Sequence, residues 1–337
     1  MPQSSLRVAI VGAGLMGEMH ARAAKHCGAT VVAIGDGDAG RARSLASRIN
    51  AETQAFAPEE VIRLGDVDVI HVCTPPEEHY PLCERILSAS RSVLCEKPLA
   101  RTAPEVRKLI ALGAQQGVAI CPVHQFPFQS GVAETARHME RIGSTVHLSA
   151  EMCSAGALGR DANGTMTLAL DILTHALSLF RKFGVAAVEK VAWTVVVPRA
   201  GELLVTGASA GVGLSAMIST SGRPTSSLFR VVGTRGTATI DLYHGFSVIE
   251  DGTVSRTRKA MRPFTSSVAT FGAAAKNGVL RAISAETAFP GLRALVGAFY
   301  DAVEKRAPAP ILPEEIIDIA VARDTIIQLS RDRFPEP

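Results

Sequence analysis

The sequence lacks the features that mark several large classes of protein. Its cysteines form no CxxC pair and show no Cys/His ligand spacing; they stand at positions 27, 73, 83, 95, 121 and 153. No signal-peptide core precedes the first strand-like run, and the uncharged stretch 203–222 is too rich in Gly, Ser and Thr for a membrane helix. We therefore expect a reduced, cytoplasmic, metal-free protein with no membrane partner.

An excess of charge of either sign is also missing. The 337 residues carry 35 Lys and Arg against 32 Asp and Glu, a net charge of +3, which argues against a nucleic-acid partner. The densest basic run is interpreted as a solvated loop; it comprises Arg256, Arg258, Lys259 and Arg262. The length is sufficient for two domains, each with its own core.

The chain shows two successive patterns of predicted secondary structure, which together predict an α/β protein with two domains. Up to about residue 122, helical segments alternate with the short β-rich runs LRVAIV, TVVAIGD, VDVIHVCT, RSVLCE and VAICPV. This alternation predicts a doubly wound parallel sheet over residues 1–122. Within residues 123–337, the first clear pattern is an apolar helix over 166–183. It is followed by strand-like runs over 185–254 and by helices at 271–284, 291–305 and 313–329. They predict an α+β domain built on a large, mostly antiparallel sheet.

Two glycine-rich runs could each form a dinucleotide-binding turn. In the first, GAGLMG, Gly12 permits the tight turn, Gly14 admits the pyrophosphate and Gly17 allows close helix–strand packing. Asp36 ends the next strand, nineteen residues after Gly17, where a carboxylate binds the ribose of NAD and repels the 2′-phosphate of NADP. We therefore predict an NAD(P)-binding Rossmann domain over residues 1–122, with NAD favoured and NADP as the alternative.

Arg41 and Arg43 could neutralise a 2′-phosphate, but their helical spacing favours positions facing water.

The second run, TGASAGVG at 206–213, resembles the glycine motif of short-chain dehydrogenases but lacks its context. Those enzymes need a Tyr-x-x-x-Lys pair, whereas Tyr80, Tyr243 and Tyr300 are followed four residues later by Glu, Ser and Glu. The residues after Gly213 alternate as a strand does, so the segment GASAG is predicted to be a β-hairpin turn.

Two further patterns carry chemistry. The strand RSVLC runs into Glu96-Lys97-Pro98, at the strand end where a doubly wound sheet binds its ligand. A surface turn is the alternative, and proline makes a cis bond after Lys97 a candidate. The apolar helix carries one polar stripe, formed by Thr167, Asp171, Thr174, His175 and Ser178. Asp171 and His175 are interpreted as functional, with a structural Asp–His pair as the alternative.

Taken together, these segments resemble the glucose–fructose oxidoreductase/inositol dehydrogenase/rhizopine-catabolism (Gfo/Idh/MocA) family. The resemblance rests on GAGLMGEMH, VDVIHVCTPPEEHY, SVLCEKPLA, DILTH and VVGTRGTATIDL. It implies that the pyrophosphate is contacted by Gly12, Gly14, Leu15, Met16 and Gly17, the adenosine ribose by Asp36, and the cofactor further along by Thr74, Pro75 and His79.

The same resemblance implies roles on the substrate side. Glu96 and Lys97 would lie near the nicotinamide ribose, and Lys97 would also hold the substrate hydroxyl. His175 would take the hydroxyl proton, while Asp171 would orient the substrate and tune that base. His124 and Gln125 stand where the family often has an Arg-containing substrate segment. His79 has a structural alternative, and His20, His71 and His244 are interpreted as structural.

The resemblance implies an NAD(P)-dependent oxidoreductase that transfers a hydride to or from a secondary alcohol of a sugar, cyclitol or related polyol. Two alternatives remain open at this point: an NAD(P)-binding sensor without turnover, and an NAD-dependent glycosidase or lyase. Relatives also lead us to expect a homodimer or homotetramer.

Overall fold

The computed structural model describes residues 6–252, 254–284 and 289–331, so the outermost parts of the two predicted domains, 1–5 and 332–337, lie outside the described residues. The chain forms two compact units. The first comprises the described residues up to His124 together with Leu292–Ala320; the second comprises Gln125–Gly291 and the described residues from Val321 onward. Over these ranges, no helix is both long and apolar enough to cross a membrane.

The first unit is built on a six-stranded parallel sheet of order β3-β2-β1-β4-β5-β6. Its strands are β1 (Arg7–Val11), β2 (Thr30–Gly35), β3 (Gln54–Phe56), β4 (Val69–Val72), β5 (Ser92–Cys95) and β6 (Ile120–Pro122). Four of them read as continuous apolar runs because both faces of the sheet are buried. The predicted doubly wound sheet is confirmed, and only the short β3 was not anticipated.

Helices connect these strands: α1 (Leu15–His26), α2 (Ala39–Ile49), α3 (Pro58–Arg63), α4 (Pro76–Ser88) and α5 (Ala103–Gln116). Local sequence explains where they begin and end. The Asp38 side chain accepts hydrogen bonds from the first N–H groups of α2, and Thr102 forms a capping box with Glu105 at the start of α5. Gly117 ends α5 in the left-handed region, with φ of 65°.

The second unit holds a seven-stranded sheet of order β13-β12-β11-β7-β10-β9-β8, in which only the β7–β10 pair is parallel. Its elements are α6 (Ser130–Arg137), α7 (Met139–Ile142), β7 (Thr145–Cys153), α8 (Ala162–Lys182), β8 (Thr194–Arg199), β9 (Glu202–Ser209), β10 (Val212–Ser219), β11 (Ser226–Gly233), β12 (Gly236–Asp241), β13 (Phe246–Asp251) and α9 (Arg256–Ser284). The mostly antiparallel sheet is confirmed. So is the hairpin, whose turn residues Ala210 and Gly211 have φ of 50° and 82°.

Three elements of this unit differ from the prediction. β7 is absent from the predicted strands because His147, Ser149 and Glu151 alternate with its buried residues and weaken the apolar signal. The strand expected from residue 185 begins only at Thr194. The basic run is exposed to solvent as predicted, but it forms the first turns of α9 rather than a loop, because α9 starts at Arg256 and not at residue 271.

The last two helices are α10 (Leu292–Lys305) and α11 (Pro313–Arg331). α10 belongs to the first unit, although the predicted second domain ran without interruption over 123–337. The physical reason is its apolar face, because Leu295, Val296 and Phe299 are fully buried in that unit. The parallel sheet domain is therefore discontinuous in sequence.

Candidate active site

The glycine-rich turn after β1 has the geometry that a dinucleotide requires. Gly12 has φ of +103°, and a Cβ there would lie 2.5 Å from the carbonyl oxygen of Cys73. A Cβ on Gly17 would overlap the carbonyl oxygen of Gly12, so α1 can approach β1 only without one. Gly14, in contrast, has no atom within 4 Å of the position its Cβ would take, which leaves its backbone open to a ligand.

The start of α1 points its first N–H groups at this open space, because Leu15 and Met16 form its first turn. The N-cap is Gly14, which supplies no side-chain cap. A phosphate is the natural partner of such an end.

Asp36 lies at the end of β2 and is buried against the glycine-rich turn. Its Oδ2 accepts a hydrogen bond from the Ala13 N–H at 2.7 Å, and its Oδ1 accepts one from the Asp38 N–H at 2.8 Å. Arg41 also donates to Oδ1, at 2.9 Å. Its side chain is 62% exposed, so it faces water as predicted while its guanidinium pairs with the Asp36 carboxylate. A cavity of about 370 Å³ opens beside them and is lined by Ala13, Asp38, Gly40, Arg41, Ser44 and Arg48.

His79 ties together the segments that follow β4 and β5. Its Nε2 lies 2.8 Å from the Thr74 carbonyl oxygen and its Nδ1 lies 2.7 Å from the Pro98 carbonyl oxygen. The ring is fully buried, and the Lys97–Pro98 peptide bond is cis. Next to Pro75, the buried Thr74 hydroxyl has no hydrogen-bond partner among the described residues, so it is available to a ligand.

Glu96, Lys97 and His124 lie at the carboxyl ends of the neighbouring strands β5 and β6. The Lys97 N–H donates to Glu96 Oε2 at 3.2 Å. Burial, and to a smaller extent the positive charge of Lys97, lower the pKa of His124 to about 4, although the Glu96 carboxylate acts in the opposite direction. The His124 imidazole is thus neutral at pH 7. Its buried Nδ1 has no partner in the described part of the chain.

A buried chain of hydrogen bonds leads away from Glu96. His20 Nε2 lies 3.1 Å from Glu96 Oε1, His20 Nδ1 lies 2.8 Å from His71 Nδ1, and His71 Nε2 lies 2.9 Å from the Tyr300 hydroxyl. The sequence carries only a weak signal for this hydrogen-bonded chain of side chains: His20 follows Gly17 by three residues, and His71 interrupts an apolar strand. Tyr300 carried no signal, because it is 229 residues from His71.

With neutral imidazoles, one placement of hydrogens satisfies this whole chain. Glu96 can only accept, so His20 donates from Nε2 and accepts at Nδ1 from His71, which in turn accepts from the Tyr300 hydroxyl. Burial, with the neighbouring His20, lowers the pKa of His71 well below its usual value, and burial raises the pKa of Tyr300. Burial also acts to raise the pKa of Glu96, but the hydrogen bond from His20 and the charge of Lys97 outweigh it and leave that pKa lowered. The chain therefore holds Glu96 as an oriented carboxylate.

In the second unit, α8 carries the predicted polar stripe on a buried helix. Asp171 Oδ1 accepts a hydrogen bond from Arg323 Nη2 of α11 at 3.2 Å, and both side chains are largely buried. The pairing offsets part of the cost of burying these two side chains. Arg323 was not among the predicted residues, because 152 positions separate it from Asp171.

His175 lies one turn beyond Asp171 and stacks on Phe126, with ring centroids 4.1 Å apart and planes 14° from parallel. Phe126 belongs to a short 3₁₀ helix, Phe126–Phe128, directly after the predicted substrate residue Gln125. Gln125 Oε1 and the Thr174 hydroxyl are buried and have no hydrogen-bond partner among the described residues. Both are free to bind a polar ligand.

The predicted site residues are thus divided between the two units. The first unit gathers the glycine-rich turn, Asp36, Thr74, Pro75, Glu96, Lys97 and His124 along the carboxyl edge of one parallel sheet. His79 supports that edge from α4. The second unit holds Gln125, Asp171 and His175. The roles of all these residues stay predictions.

Comparison with known proteins gives a family match for residues 6–124. A family model described as an oxidoreductase family with an NAD-binding Rossmann fold matches residues 6–124. Inositol 2-dehydrogenase 1 of Saccharopolyspora erythraea is 38% identical over 117 residues, which are 34% of this chain and 34% of that protein. The chain therefore spans about a third of the length of this relative.

Solved structures share the fold over nearly the whole chain. Levoglucosan dehydrogenase, in complex with NADH and levoglucosan, is 16% identical with a TM-score of 0.75, and the match covers 98% of each chain. UDP-N-acetylglucosamine 3-dehydrogenase from Acidithiobacillus ferrooxidans is 16% identical with a TM-score of 0.74, covering 98% of this chain and 99% of that one. At these identities, the likeness concerns the fold.

Proposed function

We propose that this chain is an NAD-dependent dehydrogenase of the Gfo/Idh/MocA oxidoreductase family, because a family model with an NAD-binding Rossmann fold matches its residues 6–124. Its substrate would be a secondary alcohol of a sugar, cyclitol or related polyol, or the corresponding ketone in the reverse direction. The names of the inositol, levoglucosan and UDP-N-acetylglucosamine dehydrogenases support this substrate class.

One observation carries the proposal: a dinucleotide turn and a lysine lie on the same carboxyl edge of a parallel sheet. β1 leads into the Gly12–Gly17 turn, and β5, two strands away across β4, leads into Lys97. In open α/β sheets this edge is where ligands bind. A cofactor whose pyrophosphate rests on the turn would run along the edge, past Thr74, toward Glu96 and Lys97.

The residues present fit NAD better than NADP. Asp36 would accept hydrogen bonds from the adenosine ribose, and its negative charge would repel a 2′-phosphate. Gly14 leaves room for the pyrophosphate, and the α1 N-terminus would bind it. The Thr74 hydroxyl, which has no hydrogen-bond partner among the described residues, gives the cofactor a further donor.

The reaction divides between cofactor and protein. NAD supplies the acceptor for the hydride that leaves the carbinol carbon. His175 would take the hydroxyl proton. The O–H electron pair would then form the second carbon–oxygen bond, while the C–H electron pair leaves with its hydrogen as hydride. The Lys97 ammonium would stabilise the negative charge that develops on that oxygen. Asp171, paired with Arg323, would orient the substrate and the His175 imidazole.

His124 and Gln125 would select the substrate. His124 remains neutral at pH 7 because of its low pKa, so its imidazole can hydrogen-bond a hydroxyl without competing with Lys97 for charge. Gln125 offers an amide oxygen with no other partner in the described residues. These groups suit a substrate with several neighbouring hydroxyls.

The direct test is turnover with NAD. We expect the purified chain to reduce NAD, followed by nicotinamide absorbance, with at least one of myo-inositol, levoglucosan and UDP-N-acetylglucosamine, or with related polyols in a wider panel. NAD binding without turnover on any of them would support a sensor instead. Product release without net NADH would support a glycosidase or lyase. A chain that binds no NAD would contradict the proposal altogether.

A further inference from the structure

The long helix α9 packs on the sheet of the second unit with its polar side. Arg262 and Ser266 bind Glu250 of β13, the strand at the edge of that sheet. Further along the helix, Arg281 donates to the His244 carbonyl oxygen. The side of α9 that faces away from the sheet is apolar. We call this side the α9 stripe, and its large members are Met261, Phe264, Val268, Phe271, Val279 and Ile283, which are 49–79% exposed.

The α9 stripe is one continuous surface. At 100° per residue, its members lie within an arc of about 120°, and the centre of this arc is roughly 170° from the side chains that bind Glu250 and His244. Between Met261 and Ile283 the arc holds a single polar side chain, Thr265, whose hydroxyl donates to the Arg262 carbonyl oxygen of the same helix at 3.1 Å. No polar side chain of the stripe therefore needs a partner outside α9.

The size of the α9 stripe marks it as an interaction surface. Six large side chains, with on the order of 100 Å² exposed on each, form a patch of roughly 600 Å². This is about the upper limit of the apolar patches on the surface of a soluble monomer. From Met261 to Ile283 the stripe is about 33 Å long and straddles the full exposed side of the helix.

The charges of α9 indicate what kind of partner fits the stripe. The helix contains six cations and no acidic residue. Arg262 is paired with Glu250. Arg256, Lys259 and Lys276, in contrast, form no ion pair with any residue that the structure describes. The partner that complements this helix is therefore anionic.

Two of the cations flank the stripe. Arg258 and Lys276 are 18 positions apart, which is five full turns, so they stand on one line along the helix, about 80° from the centre of the stripe. From such positions the apolar stems of Arg and Lys cover hydrocarbon while their charged ends reach the phosphates of lipid headgroups. An apolar stripe with flanking cations is typical of helices that lie in the plane of a membrane surface.

A second copy of this chain is a poorer partner for the stripe. Its α9 carries the same six cations and again no carboxylate, so two paired helices would add like charges without any complementary charge. A membrane surface that contains anionic lipids offers phosphates along the whole helix, and its hydrocarbon boundary accepts the apolar side chains.

We propose that α9 binds the surface of an anionic phospholipid membrane, with Phe264, Val268 and Phe271 inserted below the headgroups and Arg258 and Lys276 against the phosphates. The expectation that the chain has no membrane partner rested on the lack of a spanning segment, which a helix lying on the surface does not need. The inference is independent of the proposed catalytic function.

The first test is cosedimentation of the full chain with phospholipid vesicles. We expect binding to phosphatidylcholine vesicles that contain about one third phosphatidylglycerol, roughly tenfold weaker binding to phosphatidylcholine alone, and weaker binding as NaCl is added. Phe264→Glu and Phe271→Glu should each weaken binding by about tenfold or more, and Lys276→Gln by about fivefold. The matched controls are Leu158→Glu, at an exposed leucine outside α9, and Lys108→Gln, at an exposed lysine of α5; both should bind as the wild type does. Far-UV circular dichroism confirms that each variant is folded.

A fluorescent reporter tests which side of α9 meets the lipid. The chain has one tryptophan, Trp193, which is buried and donates to the Val188 carbonyl oxygen, so it gives a constant background. Phe271→Trp should add emission that shifts to shorter wavelength on the phosphatidylglycerol vesicles, because the indole leaves water. Leu158→Trp should add emission that does not shift.

The proposal is wrong if the wild type does not bind the phosphatidylglycerol vesicles at low salt, or if Phe264→Glu and Phe271→Glu bind them as well as the wild type does. An unshifted emission of Phe271→Trp would also overturn it. So would a wild-type oligomer that Phe271→Glu dissociates in sedimentation velocity, because a second copy would then cover the stripe.

Discussion

Asp36 combines two functions in one carboxylate. It accepts the Ala13 N–H and thereby fixes the glycine-rich turn, and in the proposed function it also binds the ribose. Removal of the whole side chain would disturb both. An amide retains an acceptor oxygen for Ala13 and removes only the charge.

We therefore predict that Asp36→Asn weakens NAD binding about fivefold and narrows the preference for NAD over NADP. A hydrogen bond to a charged acceptor is stronger than one to a neutral acceptor by about 1 kcal/mol. Arg41, released from its ion pair, becomes available to a 2′-phosphate. Isothermal titration with both nucleotides measures the effect, and Asp66→Asn, at an exposed ion pair with Arg7, is the control. An unchanged preference would contradict the role of Asp36.

Lys97 is the residue on which the proposed chemistry most depends. We predict that Lys97→Ala lowers kcat by about 10²–10³-fold, because the developing alkoxide loses its cation, while NAD affinity changes little.

His175→Ala should lower kcat by about 10²–10⁴-fold through loss of the proton acceptor. Lys108→Ala, at an exposed lysine on α5, should leave kcat unchanged. Full activity of either site variant would refute its assignment.

At the scale of the element, the βα turn offers a matched pair of substitutions. Gly14→Ala adds a methyl group in open space with an extended backbone, so the fold should be retained while the cofactor is obstructed. Gly17→Ala forces the same methyl group into the carbonyl of Gly12. We predict a loss of NAD affinity without a loss of Tm for Gly14→Ala, and a clear loss of Tm for Gly17→Ala. Equal effects on Tm would show that the two glycines do not differ in this way.

The buried Glu96–His20–His71–Tyr300 chain makes another prediction for an element, because it attaches α10 to β4 and α1. Tyr300→Phe leaves the His71 acceptor without its donor and should cost about 1–3 kcal/mol of unfolding free energy. Tyr243→Phe, at a half-exposed tyrosine, should cost less than about 0.5 kcal/mol. Denaturant titration compares the two. Equal stability of both variants would mean that the hydroxyl at position 300 contributes nothing.

How far the sequence predicted each element depended on whether the signal was local. β1, β2, β4 and β5 are apolar on both faces and were readily recognised, whereas β7 is polar on one face and was not. The turn at Ala210–Gly211 followed from its flanking residues. The Arg323–Asp171 pair and the Tyr300–His71 bond join positions far apart in the chain, and only the folded structure brings them together.

At the scale of the whole molecule, buried histidines make stability depend on pH. Both His71 and His124 have a lowered pKa in the folded state, so between pH 6.5 and about 4 the unfolded chain binds protons that the native state does not. The contribution of these neutral histidines to the free energy of unfolding is therefore fully present above pH 6.5, and it is lost as the pH falls below 6.5.

For His124 alone, this loss should reach about 2 kcal/mol at pH 5. We predict that His124→Gln flattens the decline of unfolding free energy between pH 7 and pH 5, as measured by urea titration at each pH. His26→Gln, at an exposed histidine of α1, should retain the wild-type slope. If the slope of His124→Gln also equals that of the wild type, His124 is not held neutral by burial.

The discontinuity of the first unit has a consequence for biosynthesis. When residue 124 leaves the ribosome, every strand of the parallel sheet has been made, but α10, which covers α1 and supplies Tyr300 to His71, has not. Residues 125–291 must be translated first, which takes on the order of ten to thirty seconds at elongation rates of about 5–20 residues per second. During that interval the nascent chain exposes an apolar surface on α1, the kind of surface that chaperones bind.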